Sequence, residues 1–384
     1  MASTARLGVI GAGANLQHQD GQHAPTMQAT TTQQPLIHLK KSTGAHVKVL
    51  VLGATGFIGE RLVTRLRDSG WATPVLAGRR APAARTDGLV FRQVDTLDAA
   101  SLRQALGDID AVVNCVAGHG DAIGRGAQLL VEAALQTSRP RIVHMSSMAV
   151  YGNQEGCLNE DSPLDPAASW YAQAKCEAEE HMKVYAAAGH PLVMLRPGCV
   201  YGPGSDMWVE QMARLVAAGR LGDLGASGEG WSNLVHVDDV CAAVLLSLQY
   251  ASRSPDASPV PAPVFNLTGD DSPRWNRYFV DLALALGAGA APRISPLRLK
   301  LDARLGTLFI RVLQRLARAA GKSGRGLPVA LSPSFLRLWQ QQLRIDGQRA
   351  RSVLGFAPRP YAQGLAESAQ WARNEGIGTA RAPG

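Results

Sequence analysis

Cysteine is scarce and unpatterned. The 384-residue chain has five: Cys115, Cys157, Cys176, Cys199 and Cys241. The number is odd, no CxxC occurs, and none stands at metal-ligand spacing from a histidine. This excludes a disulfide framework and a zinc site, leaves no metal expected, and points to a reducing compartment, the cytoplasm. Apolar runs are short, and none reaches the ~18 residues of a membrane span. RLGVIGAGA near the start is brief and glycine-rich, a poor signal-peptide core. Long Lys/Arg blocks are missing too. The net charge of +8 is explained as well by a phosphate-bearing small molecule as by nucleic acid, and no nucleic-acid partner is expected. What is abundant is glycine, 40 residues, in a chain that is 46% hydrophobic and 18% charged. That is the composition of a soluble globular protein with many tight turns.

Residues 1–45 carry little periodicity and read as a disordered leader. LGVIGAGAN inside it imitates a strand and a glycine turn, but no helical pattern follows. From residue 46 the rhythm changes. VKVLVLG (47–53), PVLAG (74–78), LVFRQVD (89–95), AVVNCVAG (111–118), RIVHMSS (141–147) and PLVMLRPG (191–198) read as buried strands, with helical patterns between them. The fold class expected is α/β, a doubly wound parallel Rossmann sheet with a smaller, mostly helical C-terminal substrate lobe. The dinucleotide-binding domain spans 46–200 and is completed by about 233–270. The lobe takes 201–232 and 271–375, and 376–384 is a flexible tail.

GATGFIG has the form GxxGxxG, follows a strand and opens a helix. Gly53 permits the turn, Gly56 lets the backbone approach a pyrophosphate, and Gly59 allows close helix–sheet packing. Thr55, Phe57 and Ile58 between them join the candidate cofactor contacts. After the second strand stands AGRR, with no acid to accept a ribose hydroxyl. Arg79 suits a 2′-phosphate, so NADP is expected ahead of NAD. Asp95 is placed either to meet the adenine edge or to cap the following helix. SWYAQAKCEAEE then sets Tyr171 and Lys175 on one helix face, one turn apart.

GATGFIG, SSMAVYG, YAQAK, RPGCVYGPG and HVDDV, in that order, resemble the extended short-chain dehydrogenase/reductase family, the NAD(P)-dependent epimerase/dehydratase-like proteins. The resemblance covers about Val47 to Trp371. It implies a catalytic set of Ser147, Tyr171 and Lys175. Tyr171 would be the acid/base. Lys175, with the positive nicotinamide, would lower its pKa and would hold the nicotinamide ribose. Ser147 would bond the substrate oxygen. Val116, Ala117, Gly118 and Gly198 would line the cofactor cleft. The activity implied is hydride transfer between nicotinamide and a secondary alcohol or ketone. A nucleotide-sugar epimerase or reductase is the alternative, and a non-catalytic NAD(P)-binding sensor is the rival from another class.

Departures narrow the reaction. Met148 and Ala149 stand where 4,6-dehydratases carry an Asp–Glu pair. Cys199 stands where nucleotide-sugar epimerases usually carry Asn, and Ser232 where they often place a phosphate-binding Arg. The pattern is closer to the 3β-hydroxysteroid dehydrogenase and dihydroflavonol reductase-like branches. HVDDV is read as a structural corner, with Asp238 capping a helix. Trp208, Trp231 and Trp275 are expected in core packing. In 304–320, Leu305, Leu308, Phe309, Val312, Leu313 and Leu316 form an apolar stripe beside Arg304, Arg311, Arg315, Arg318 and Lys322. Two readings stand: a lobe helix with a solvated face, or a helix lying on an anionic membrane. The partners expected are a small-molecule substrate, peripheral contact with such a membrane, and a second copy of the chain.

Overall fold

The computed structural model describes residues 46–81, 88–252, 262–287, 291–306, 308, 310, 312, 316 and 328–377. The leader with its LGVIGAGAN segment, Phe309, Arg311, Leu313, Arg315, Arg318, Lys322 and the tail after 377 lie outside the described residues.

The strands in chain order are β1 (Val47–Leu52), β2 (Ala72–Gly78), β3 (Val90–Gln93), β4 (Ala111–Asn114), β5 (Arg141–Met145), β6 (Gly156–Leu158), β7 (Leu192–Pro197), β8 (Cys199–Tyr201), β9 (Leu234–His236), β10 (Val264–Leu267) and β11 (Leu343–Ile345). The helices used below are α1 (Phe57–Asp68), α2 (Ala99–Leu106), α3 (Gly120–Leu135), α4 (Trp170–Ala187), α5 (Gln211–Ala217), α6 (Val237–Ser252), α7 (Trp275–Ala285), α8 (Pro296–Leu301), α9 (Pro333–Gln340) and α10 (Tyr361–Asn374). Seven strands form one parallel sheet in the order β10-β7-β5-β4-β1-β2-β3. The order reverses between β1 and β4, and ligands of such sheets bind at that reversal, beyond the carboxyl ends of the strands.

β1 shows why the sheet is covered on both faces. Val49 and Val51 point into one apolar cluster with Leu62 and Leu66 of α1 and Val240 and Val244 of α6. Leu50 and Leu52 alternate into a second cluster with Leu102 of α2, Leu130 of α3 and Met182 of α4. A strand buried on both sides needs no polar face, hence the continuous apolar run. The segments after β7 build a third cluster around Met212, Leu224, Trp275, Phe279, Leu299 and Trp339. Trp275 is fully buried there and Trp208 packs on it at 5.0 Å. Trp231 departs from the core-packing expectation: it lies half-buried between the guanidiniums of Arg274 and Arg344, at 4.5 and 4.8 Å.

One buried polar network joins these layers. Arg196 of β7 reaches Glu179 of α4 through two bonds, Nη2–Oε2 at 2.7 Å and Nε–Oε1 at 2.9 Å. Both side chains are nearly inaccessible. Ser146 donates to Glu179 at 2.6 Å, Arg196 donates to the Tyr151 hydroxyl at 3.0 Å, and Tyr151 donates to Asn266 of β10 at 2.8 Å.

Several boundaries differ from the sequence reading. β3 ends at Gln93 and β4 at Asn114, so Asp95 and residues 116–118 lie in the loops beyond them. Asp95 does not cap α2. Asp98 does, accepting from Ala100 N at 2.9 Å, while Asp95 accepts from Leu97 N at 3.0 Å and stays exposed. Asp238 is no helix cap either. It sits inside the first turn of α6 and pairs with Arg61 at 2.6 Å and Arg65 at 3.1 Å, tying α1 to α6.

Removing one partner of a buried ion pair strands the other charge. Arg196→Met is expected to lower the unfolding free energy by about 3–5 kcal/mol, and Arg196→Met with Glu179→Leu to recover most of it. Urea unfolding measures both. A single variant within about 1 kcal/mol of the parent would show that the pair does not hold these layers.

Candidate active site

The site grows from four strand ends. β1 runs into Gly53 at φ +81°, where a side chain would press on the Cys115 carbonyl. Gly56 is the N-cap of α1, so first-turn N–H groups open beside the glycine loop. At Gly59 a Cβ would collide with the Gly53 carbonyl oxygen. The glycine spacing therefore has a steric cause, and it places Thr55, Phe57 and Ile58 around the turn. After β2, Arg79 and Arg80 are both exposed. After β4, Val116 is half-buried while Ala117 and Gly118 face solvent. Together these segments fit a dinucleotide: a glycine cradle at a helix start, two guanidiniums beyond β2, and an open loop across the sheet's reversal. Gly198 has another reason to be glycine, since a Cβ there would meet the Asn233 carbonyl.

The fourth strand end, that of β5, carries the candidate catalytic residues. Ser147 follows β5, accepts a bond from Ala149 N at 3.1 Å, and lies beside the Tyr171 phenol. Ser146 points the other way, to Glu179, so of the two serines Ser147 is the one beside the phenol. Ser169 starts α4 by accepting from Ala172 N at 3.0 Å, which fixes Tyr171 in the first turn. Lys175 is one turn on, buried, with Nζ donating to the Met145 carbonyl at 2.7 Å and lying 5.9 Å from the Tyr171 ring centre.

Burial dominates the electrostatics. Burial pushes the Tyr171 phenol up, and the bond to Ser147 opposes it. It lowers Lys175 to about 8 against the pull of Cys115 and Glu179, and raises the Cys115 thiol to about 12. The expected lowering of Tyr171 by Lys175 is one exerted together with a bound, positively charged nicotinamide. Here the Lys175 ammonium donates to the Met145 carbonyl, and burial is the largest influence on the phenol.

Three groups near this chemistry escaped sequence reasoning. Trp170, 61% exposed, stands edge-on to Tyr171 at 5.7 Å between ring centres. Beside YxxxK it reads as plain helix surface. Glu179, one turn past Lys175, and Arg196 clamp the Ser146 end of β5, a role invisible without the tertiary pairing. The positions suspected of holding a sugar diphosphate are closed: Cys199 is buried, and Ser232 is buried with its hydroxyl given to the Pro273 carbonyl at 2.5 Å. His236, Asp238 and Glu367 bring ligand atoms within 4.8 Å of one another. Arg61, Arg65 and Arg359 already occupy those carboxylates, and burial beside Arg359 lowers His236 to about 4. A cavity of about 260 Å³ lined by Trp231, Asn233, Arg344 and Asp346 includes none of the candidate catalytic residues.

The profile of the NAD dependent epimerase/dehydratase family matches residues 49–260. Sterol demethylase protein B of Methylococcus capsulatus is 25% identical over 354 residues, covering 85% of this chain and 99% of its own. UDP-glucose 4-epimerase of Mycolicibacterium smegmatis is 26% identical over 371 residues, covering 86% and 99%. Among solved structures, MoeE5 in complex with UDP-glucose and NAD is 27% identical with a TM-score of 0.62, covering 85% of this chain and 99% of its own.

The depressed Lys175 has a consequence for stability. Between about 8 and 10.5 the unfolded chain holds a proton that the folded one has released, so this group's contribution to stability rises with pH across that window. Below it the desolvation cost is constant. The difference in unfolding free energy between the parent and Lys175→Met should rise through the same window. A difference independent of pH would place the Lys175 pKa at its ordinary value.

Proposed function

The chain belongs to the NAD dependent epimerase/dehydratase family, and from that premise we propose that it is an NADP-preferring oxidoreductase acting on a secondary alcohol or ketone. The observation that carries this reading is the placement of Ser147 beside the Tyr171 phenol, with Lys175 buried one helical turn further along α4. The nicotinamide, when bound, supplies or accepts the hydride. Ser147 donates to the substrate oxygen and orients it. Tyr171 gives that oxygen a proton in reduction and takes one in oxidation, a contribution of about 10²–10⁴-fold. Lys175 keeps a positive charge beneath the site at neutral pH and favours the phenolate. Burial holds the Tyr171 phenol high, so alcohol oxidation should gain speed as pH rises and carbonyl reduction should slow.

The substrate reading is an alcohol on an apolar skeleton. Cys199 and Ser232 offer no phosphate contact, and Trp170 gives the Tyr171 side an exposed aromatic wall. A relative named sterol demethylase protein B, similar over 85% of this chain, supports it. The second reading is a nucleotide-sugar epimerase, favoured by the likeness to UDP-glucose 4-epimerase and to MoeE5. An epimerase would interconvert UDP-hexoses with no net consumption of cofactor, which separates the two. The five cysteines are all free, in keeping with a cytoplasmic enzyme. No described helix is long and apolar enough to cross a membrane.

Two variants test the roles. Tyr171→Phe should lose at least about a hundredfold in turnover while binding cofactor nearly as well as the parent. Turnover within a few fold would end the assignment. Arg79→Ala should weaken NADPH binding by about ten- to hundredfold and leave NADH binding almost unchanged. Equal parental affinity for the two cofactors in calorimetry would refute the NADP preference.

A further inference from the structure

The net charge of this protein is concentrated in one stretch. Nine of its 39 basic residues and one of its 31 acidic residues lie between 291 and 327, so that stretch holds the entire +8 and the remainder of the chain is balanced. The single acid, Asp302, is tied to Arg220 at 2.8 Å. Exposed Arg298, Lys300 and Arg304 pair with no carboxylate among the described residues.

The same stretch exposes an apolar stripe. α8 is followed by a π-helical turn, Asp302–Gly306, and 308, 310, 312 and 316 are again helical. Leu299, Ala303 and Ile310 face inward and are buried. Leu297, Leu301, Leu305, Leu308, Val312 and Leu316 are 69, 49, 65, 64, 46 and 63% exposed. Their spacings of three and four residues keep them on one helix face. Of the two readings open from sequence, packing of the stripe into the core fails for its four described members. The inner face is filled by other residues.

We infer that this face docks on an anionic phospholipid bilayer surface, with Leu297, Leu301, Leu305, Leu308 and Leu316 entering the headgroup boundary and Arg298, Lys300 and Arg304 meeting the lipid phosphates. Apolar area plus electrostatic attraction is what binds interfacial helices. A second copy of the chain fits less well, because a two-fold contact would set Arg298, Lys300 and Arg304 of one copy against the same residues of the other. Nucleic acid would meet the cations and leave the leucines in water. The inference stands apart from the catalytic reading, and failure of either leaves the other intact.

Flotation of the full chain tests it. Vesicles of phosphatidylcholine alone are compared with vesicles holding about one third phosphatidylserine, at about 0.05 M and about 0.5 M salt. Co-flotation is expected with the anionic vesicles at low salt and should fade at high salt. Leu305→Ser with Leu308→Ser should lower the bound fraction about tenfold or more without moving the melting temperature, since both side chains are exposed. Arg298→Glu with Lys300→Glu and Arg304→Glu should remove the preference for anionic vesicles. Absence of co-flotation at low salt overturns the inference, as does binding that both variants retain. Sedimentation showing a dimer that the leucine variant disperses, with no lipid binding, assigns the face to a second copy and overturns it as well.

Discussion

The Arg196–Glu179 pair is the contact on which the site's geometry rests. Two opposite charges removed from water are tolerated only when every remaining donor and acceptor is satisfied. Here the requirement is met by drawing in Ser146, Tyr151 and the Glu160 carbonyl. Each partner comes from a different element. β5, β7, α4 and the turn that holds Tyr151 can therefore shift only together. Ser147 is the residue after Ser146 and Lys175 lies one turn before Glu179, so the catalytic candidates inherit the pair's rigidity without taking part in it.

A second constraint acts at the sheet's reversal. Helix α1 must approach β1 closely enough that no side chain fits at Gly59, and the turn into it needs the positive φ of Gly53. That closeness brings the start of α1 to the strand ends where the β4 and β5 loops also arrive. Across the sheet, Arg61 and Arg65 of α1 close on Asp238 of α6. The HVDDV corner thus serves to bind two helices on one face, and its carboxylates are committed to arginines.

The site's chemistry is set more by dryness than by charge pairing. Tyr171 is raised and Lys175 lowered by the same cause, loss of water around both. A phenol and an ammonium made less willing to ionise are poised for groups that bring charge with them. Around them, Trp170 stands exposed beside Tyr171, and Cys199 and Ser232 are buried. Kinship with UDP-sugar enzymes and with a protein named for sterols is compatible with one scaffold, because function is carried by the site and not by the fold.

The sequence alone determined the alternation of strands and helices, the glycine turn and the α/β class, and its resemblance to a known family singled out Ser147, Tyr171 and Lys175 as catalytic candidates. The first three depend on neighbours a few residues apart: continuous apolar runs, helical periodicity, a backbone too crowded for a Cβ. Boundaries were less legible, as Asp95 and Asp98 show, since either carboxylate could have capped α2 and only the local hydrogen bonds chose. The tertiary structure decided everything that depends on burial and on distant partners. Asp238 finds Arg61 across 177 positions, Arg196 finds Tyr151 across 45, Cys199 and Ser232 are shut away from solvent, and the leucines after α8 are left facing out. Periodicity tells which residues share a face. What covers that face is settled by packing among elements far apart in the chain, and there the sequence carries no local mark.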